Sequence, residues 1–209
     1  MESYELGQVE LCIPEDMANL QLPDPELLNY YHLANDRIFY LDYDVGDACL
    51  ALARTIQVLN LKDRVLPAEQ RTPIKIFIFS EGGSMYHCYS LIAAIEQSVT
   101  PVWTINAGVA YSAGLLIFLA GQRRLCYRRS EALIHNGSGQ ISGTYDQAAE
   151  GMESYKKMVA AMHDYILEKT KIDPKLFKKN KAKDWFITDQ EQIELGIAEK
   201  IIESMDEVL

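Results

Sequence analysis

The segment AGVAYSAGLLIFL, residues 107–119, sets one aliphatic hydroxyl, that of Ser112, between two glycines at the head of an apolar run. A helix starting there leaves unpaired N–H groups beside Ser112, and such groups accept either a capping oxygen or a developing negative charge. Ser112 therefore reads both as a helix cap and as a nucleophile. A nucleophilic serine requires a base for its proton, a third group to orient that base, and N–H donors aimed at the oxyanion.

The chain has four histidines. His32 lies in an acidic N-terminal stretch, and His87 and His163 fall inside segments of helical pattern. Only His135 closes an apolar strand-like run, EALIH, ahead of the glycine-rich loop NGSGQISG. For the carboxylate, Asp184 in KAKDWFIT follows a basic stretch and precedes an aromatic pair that could half bury it; a turn or cap aspartate is its plainer role. Gly82 and Gly83 after IKIFIFS permit close backbone approach, and the Ala113 N–H follows Ser112 at a helix start, so both places suit an oxyanion hole. A tight turn explains the two glycines equally well. Ser84 and His87 form a rival pair with no orienting acid evident beside them.

The elements that must carry these residues alternate. RIFYLDY (37–43) reads as a strand and VGDACLALARTIQVLNL (45–61) as a helix. IKIFIFS (74–80) reads as a buried strand, followed by a helix over SMYHCYSLIAAIEQ. Then come a strand at PVWTIN, the Ser112 turn with its helix, and short strands near LCY and EALIH. Repeated strand–turn–helix units predict an α/β fold on a parallel sheet, with its active loops at the strands' C-terminal ends. A long helix is expected from Tyr145 to about Thr170. Its apolar stripe of Met152, Tyr155, Val159, Met162 and Ile166 could pack on the chain's own sheet or on a second subunit. Thr188–Glu191 fits a capping box, and Gly196 fits the stop of the helix it starts.

With 209 residues, 48% of them hydrophobic, the chain can bury one substantial core. Residues 1–36 read as an acidic arm ending in a short helix, and residues 37–209 as a single domain. A net charge of −10 disfavours nucleic acid as a partner, since its phosphates would be repelled. No apolar run approaches the roughly 20 residues of a membrane helix, and the N-terminal residues lack a signal-peptide pattern, so a soluble cytoplasmic protein is expected, with no membrane partner. Cys12, Cys49, Cys88 and Cys126 are scattered, which indicates neither a disulfide framework nor a metal site; small buried apolar roles are expected for them.

From about Arg37 to Ile202 these residues resemble the ClpP family, the proteolytic subunit of the Clp protease, with its ClpP/crotonase fold of stacked βα units and a projecting handle helix. The marks are FSEGGS, GVAYSAG, a strand ending in ALIH, a glycine-rich loop before a long helix, and a late aspartate. The resemblance implies Ser112 as nucleophile, His135 as general base and Asp184 as its orienting carboxylate, with Gly83 and Ala113 supplying oxyanion N–H groups. It implies a serine endopeptidase that needs no cofactor or metal and assembles into a homo-oligomeric ring, a heptamer or double heptamer, around a chamber for peptide substrates. A Clp-type ATPase would feed it, since the chain has no phosphate-binding G-x-x-x-x-G-K-[ST] loop. Rival readings are a crotonase-like acyl-CoA enzyme and a non-catalytic ring subunit; the Ser, His, Asp set disfavours both.

Three departures from the family pattern mark a divergent branch, of a kind a phage could carry. Glu81 stands where Pro is usual, Asn136-Gly137 where Gln-Pro is usual, and Trp185 where an Arg usually follows the aspartate. That Arg resembles part of the link between rings, so its replacement bears on whether two rings stack.

Overall fold

A computed structural model describes residues 25–209. The proposed arm therefore lies largely outside the described residues; within them, its last stretch is helix α1 (Pro25–Asn35). The remaining elements are β1 (Ile38–Leu41), α2 (Asp47–Asp63), β2 (Ile74–Ser80), α3 (Met85–Glu96), β3 (Val102–Tyr111), α4 (Ala113–Leu119), β4 (Arg123–Tyr127), β5 (Glu131–Ile134), α5 (Tyr145–Lys169), α6 (Pro174–Asn180), β6 (Trp185–Thr188), α7 (Asp189–Glu194) and β7 (Lys200–Ile202). This mixed α/β architecture on a mostly parallel sheet is the expected class.

The sheet has seven strands among the described residues. Five run parallel in the order β1-β2-β3-β4-β7. The long strand β3 is shared: Trp103–Asn106 pair with β4, whereas Val109–Tyr111 pair with β5. Asn106 holds this fork. Fully buried, it donates from Nδ2 to Glu131 O (3.0 Å) and Gln192 Oε1 (3.1 Å) and accepts from Gly108 N–H (3.2 Å). The register of β3 on β2 shifts over the same stretch, from Ile78 opposite Asn106 to Ser80 opposite Ala110. A bulge of this kind bends a strand and re-aims its end, here the residues leading into Ser112.

β2 shows why these residues make a buried strand. Ile74, Ile76 and Ile78 enter the larger core with Leu91, Ile95, Leu116 and Phe118, while Phe77 on the opposite face joins a smaller core with Ile38, Ile105 and Leu125. An apolar run on both faces is what a parallel strand covered on both sides requires. A buried charge cluster pins the sheet's edge: Asp63, 1% exposed, takes two bonds from the Arg37 guanidinium, one of 2.7 Å, and a 2.7 Å bond from Thr100 Oγ1. The Arg37 pair holds the Asp63 carboxyl below the usual carboxylate range. Cys49, Cys88 and Cys126 are buried free thiols, in keeping with their expected packing role.

Several elements differ from expectation. β3 continues five residues past Asn106, because its end is held by β5 and not by local pattern. β6 runs antiparallel to β5, so the sheet is not wholly parallel. α6, β6 and β7 are short elements that periodicity does not reveal. The stripe of α5 divides: Met162 and Ile166 are buried in the core, Tyr155 and Val159 are half-buried, and Met152 is exposed. Both expected roles of the stripe thus have residues available.

Candidate active site

Ser112 sits between β3 and α4 with φ 54° and ψ −121°, a left-handed backbone that a residue with a Cβ seldom adopts. The junction fixes it from three sides. Its N–H donates to Leu133 O (3.0 Å), tying it to β5; its C=O accepts the first α4 bond, from Leu116 N (3.2 Å); its side chain makes no cap bond. The hydroxyl is therefore free of the capping role. A sharp strand-to-helix turn of this kind exposes a serine Oγ at the end of a sheet.

The turn after β2 packs against this junction. Gly82 has φ 109°, and a Cβ there would lie 2.8 Å from Ser112 Cβ and 3.0 Å from Tyr111 O. Gly83 has φ 142°, and a Cβ there would lie 2.5 Å from Val45 O. Glycine is thus needed at both for conformation and for closeness. Val45 clamps the turn by donating to Gly82 O and accepting from Ser84 N–H, each at 2.7 Å. The N–H groups of Gly83 and Ala113 have no backbone acceptor among the described residues, so both remain available to an oxyanion.

His135 follows the last residue of β5, next to β3, and shares with Ser112 and Gly83 a cavity of about 210 Å³. Its Nε2 is buried without a hydrogen-bond partner, so no bond to Ser112 is made in this arrangement. Its Nδ1 lies 3.7 Å from Asp184 Oδ1, an ion-pair distance and longer than a hydrogen bond. Asp184 precedes β6, whose Trp185 pairs with Ile134 of β5; that antiparallel pairing brings the two residues together. Contrary to the expected half-burial, the Asp184 side chain is 65% exposed. The aromatic pair does not cover it: Phe186 is itself exposed and turned to the Tyr111 ring, 5.9 Å away.

The far wall of the cavity comes from α5, through Tyr155, Met158, Val159 and Met162. That helix also fixes the chain just after the histidine. Tyr155 OH donates to Asn136 O (3.0 Å), and His163 Nε2 lies 2.8 Å from Asn136 Oδ1. Burial, and then Lys181, push the His163 pKa down, which favours a neutral ring in this contact. These two partners of Asn136 were not identified from sequence, and their helical spacing alone carries no sign of the role.

The rival pair gains what it lacked. His87 Nδ1 lies 2.8 Å from Ser84 Oγ, and Nε2 lies 2.9 Å from Asp47 Oδ1 on the first turn of α2. An acid does stand beside His87, correcting the sequence reading; it is 40 residues distant in the chain and invisible to local pattern. Ser84 has ordinary backbone angles (φ −67°, ψ 120°), its own N–H is used by Val45, and it does not line the cavity.

Among the described residues no cluster of His, Cys, Asp and Glu could hold a metal ion, and no helix is long and apolar enough to cross a membrane. The family model for Clp protease matches residues 27–205. The ATP-dependent Clp protease proteolytic subunit 1 of Bacillus cereus is 27% identical over 197 residues, 92% of this chain and 98% of its own length. Subunit 3 of Rhodococcus jostii is 26% identical over 199 residues, 92% of this chain and 95% of its own. Subunit 2 of Treponema denticola is 29% identical over 138 residues, 65% of this chain and 69% of its own. With a family model spanning most of its length and relatives aligned nearly end to end, the chain belongs to the Clp protease family and is a protease of the ClpP type.

Proposed function

We propose that the protein is a serine endopeptidase in which Ser112 is the nucleophile, His135 the general base and Asp184 the carboxylate that orients it. The observation that carries this reading is the left-handed Ser112 at the β3–α4 junction, sharing one cavity with His135 and flanked by the unused N–H groups of Gly83 and Ala113. His135 Nε2 takes the Ser112 proton as Oγ bonds to the scissile carbonyl carbon. The carbonyl oxygen becomes an oxyanion held by the two N–H groups. His135 then protonates the leaving amine as the C–N bond breaks, and water, deprotonated by His135, releases the acid and restores Ser112. Nε2 is unpartnered and so has its proton-accepting position open, and bonds of this kind commonly tighten only when substrate arrives.

The protein acts as a homo-oligomeric ring that encloses its active sites and is fed unfolded chains by a Clp-type ATPase. Support comes from the family and from α5, whose N-terminal half leaves Tyr145 and Met152 exposed. A folded domain of 100 residues is about 26 Å across, and unfolding it costs about 5–15 kcal/mol, so the peptidase alone spares it.

The decisive experiment combines a fluorophosphonate probe, peptide mapping of the labelled residue, and hydrolysis of a fluorogenic peptide. Labelling on Ser112 that is lost with peptidase activity in Ser112→Ala is expected. Full activity in Ser112→Ala would refute the assignment.

A further inference from the structure

The cavity beside Ser112 has walls of unequal character. Met85, Met158, Val159 and Met162 supply flexible apolar surface. Facing the same space is Glu81, the sole carboxylate among the lining residues, and it makes no hydrogen bond or ion pair among the described residues. From this juxtaposition of an unpaired carboxylate and a methionine-rich wall beside the nucleophile, we propose that Glu81 makes the protein selective for substrates with a lysine or arginine side chain next to the scissile bond. The inference rests on Ser112 being the nucleophile.

Three physical arguments favour a cation over other occupants. A long basic side chain lays its methylenes along apolar surface and keeps its charged end at a polar rim, which matches methionines inside and Glu81 at the solvent-exposed edge. In addition, Glu81 immediately precedes the Gly82-Gly83 turn that offers an oxyanion donor. A negative charge there opposes the negative charge that develops on the carbonyl oxygen, and a substrate cation beside it cancels that opposition. The charge is felt locally: Tyr111, the residue before Ser112, has its phenol pushed up to about 12, by burial first and then by Glu131 and Glu81. With the chain at −10 overall, the wider field also draws cationic peptides inward. At about 210 Å³ the space suits one side chain, below the usual range for a whole small-molecule ligand.

The test compares kcat/KM for fluorogenic peptides that differ only in carrying Lys, Leu or Glu beside the scissile bond, with active sites counted by fluorophosphonate labelling. The Lys/Leu ratio should exceed one in the native protein, fall about fivefold in Glu81→Gln, as for a solvent-exposed ion pair, and drop below one in Glu81→Lys, with the Glu peptide gaining. A protein labelled on Ser112 whose ratio is unaltered by either substitution would overturn this inference and leave the peptidase assignment standing. Absence of both labelling and cleavage would overturn the two together.

Discussion

Two Ser–His–Asp arrangements stand within one molecule, and the better bonded one is not the one better placed for acyl transfer. Ser84, His87 and Asp47 form an unbroken chain of contacts at 2.8 and 2.9 Å. Ser112, His135 and Asp184 are looser, with His135 Nδ1 3.7 Å from the carboxylate and Nε2 without a partner. Yet Ser84 lies on an ordinary helix cap, spends its own N–H on Val45, and depends on an aspartate 98% exposed to water. Its histidine also presents Nδ1 to the serine and Nε2 to the acid, the reverse of the usual hydrolase arrangement. Ser112 has the strained turn, the free N–H donors and the cavity. The difference teaches that a hydroxyl, a ring and a carboxylate in line only relay a proton; stabilising an oxyanion requires donors placed around a site where substrate can sit.

Substitutions can sharpen this contrast. Ser112→Ala should remove peptidase activity almost wholly, by about 10⁶-fold in kcat by analogy with other serine hydrolases, whereas Ser84→Ala keeps it. A comparable loss from both would place Ser84 in the mechanism. His135→Ala should cost about 10⁴-fold or more, and Asp184→Asn about 10²-fold, less because that carboxylate is exposed and beyond hydrogen-bond distance. The His135→Ala/Asp184→Asn double variant should lose little more than His135→Ala alone; multiplicative losses would mean that the two residues act separately. At the other site His87→Ala should stay within about twofold of native kcat/KM, since its partner acid is screened by water.

Loss of function must be told apart from loss of fold, and the Arg37–Asp63 pair provides the reference. Asp63→Ala leaves a half-buried guanidinium without its carboxylate and Thr100 Oγ1 without its acceptor, so unfolding by denaturant should show about 2–4 kcal/mol of destabilisation. Because pairing lowers the folded-state pKa of Asp63, its stabilisation is present in full above the ordinary carboxylate range. It is lost as pH falls through the lower folded value. The stability gap between native protein and Asp63→Ala should therefore narrow steadily as pH falls below the ordinary carboxylate range. A constant difference down to pH 2 would contradict the coupling. A smaller effect concerns the exposed end of the handle. Met152→Glu should reduce particle mass in light scattering, while a charge at Met162, 6% exposed, should unfold the chain instead.

What was legible in the sequence followed from local grammar. β2 occupies its anticipated span because an apolar run there ends at a Gly-Gly turn. The capping box at Thr188 and the stop at Gly196, φ 68°, are likewise local signals. Elements held by distant partners were not legible. β3 reaches Tyr111 because β5 pairs with it through Val109–Tyr111, although AGVAY by itself resembles a turn. β6 exists through its pairing with β5, and it alone explains why Asp184 lies near His135. At the candidate site, Ser112, His135 and Gly83 line one cavity, a grouping that the family resemblance implied and that local pattern by itself left open. The Asp47 partner of His87 and the Asn136 partners on α5 come from other elements and leave no mark on neighbouring residues.

The left-handed backbone at Ser112 bears on how robust the working enzyme can become. A residue with a side chain held there costs about 1–3 kcal/mol, which glycine would largely avoid. Ser112→Gly should therefore melt at a higher temperature than Ser112→Ala, although neither has a hydroxyl with which to react. Selection for thermal endurance alone would drive this position toward glycine and, with Ser112 as the proposed nucleophile, toward an inert protein. Keeping a serine there means accepting a less durable molecule, so attempts to harden this protease are best directed away from the β3–α4 junction.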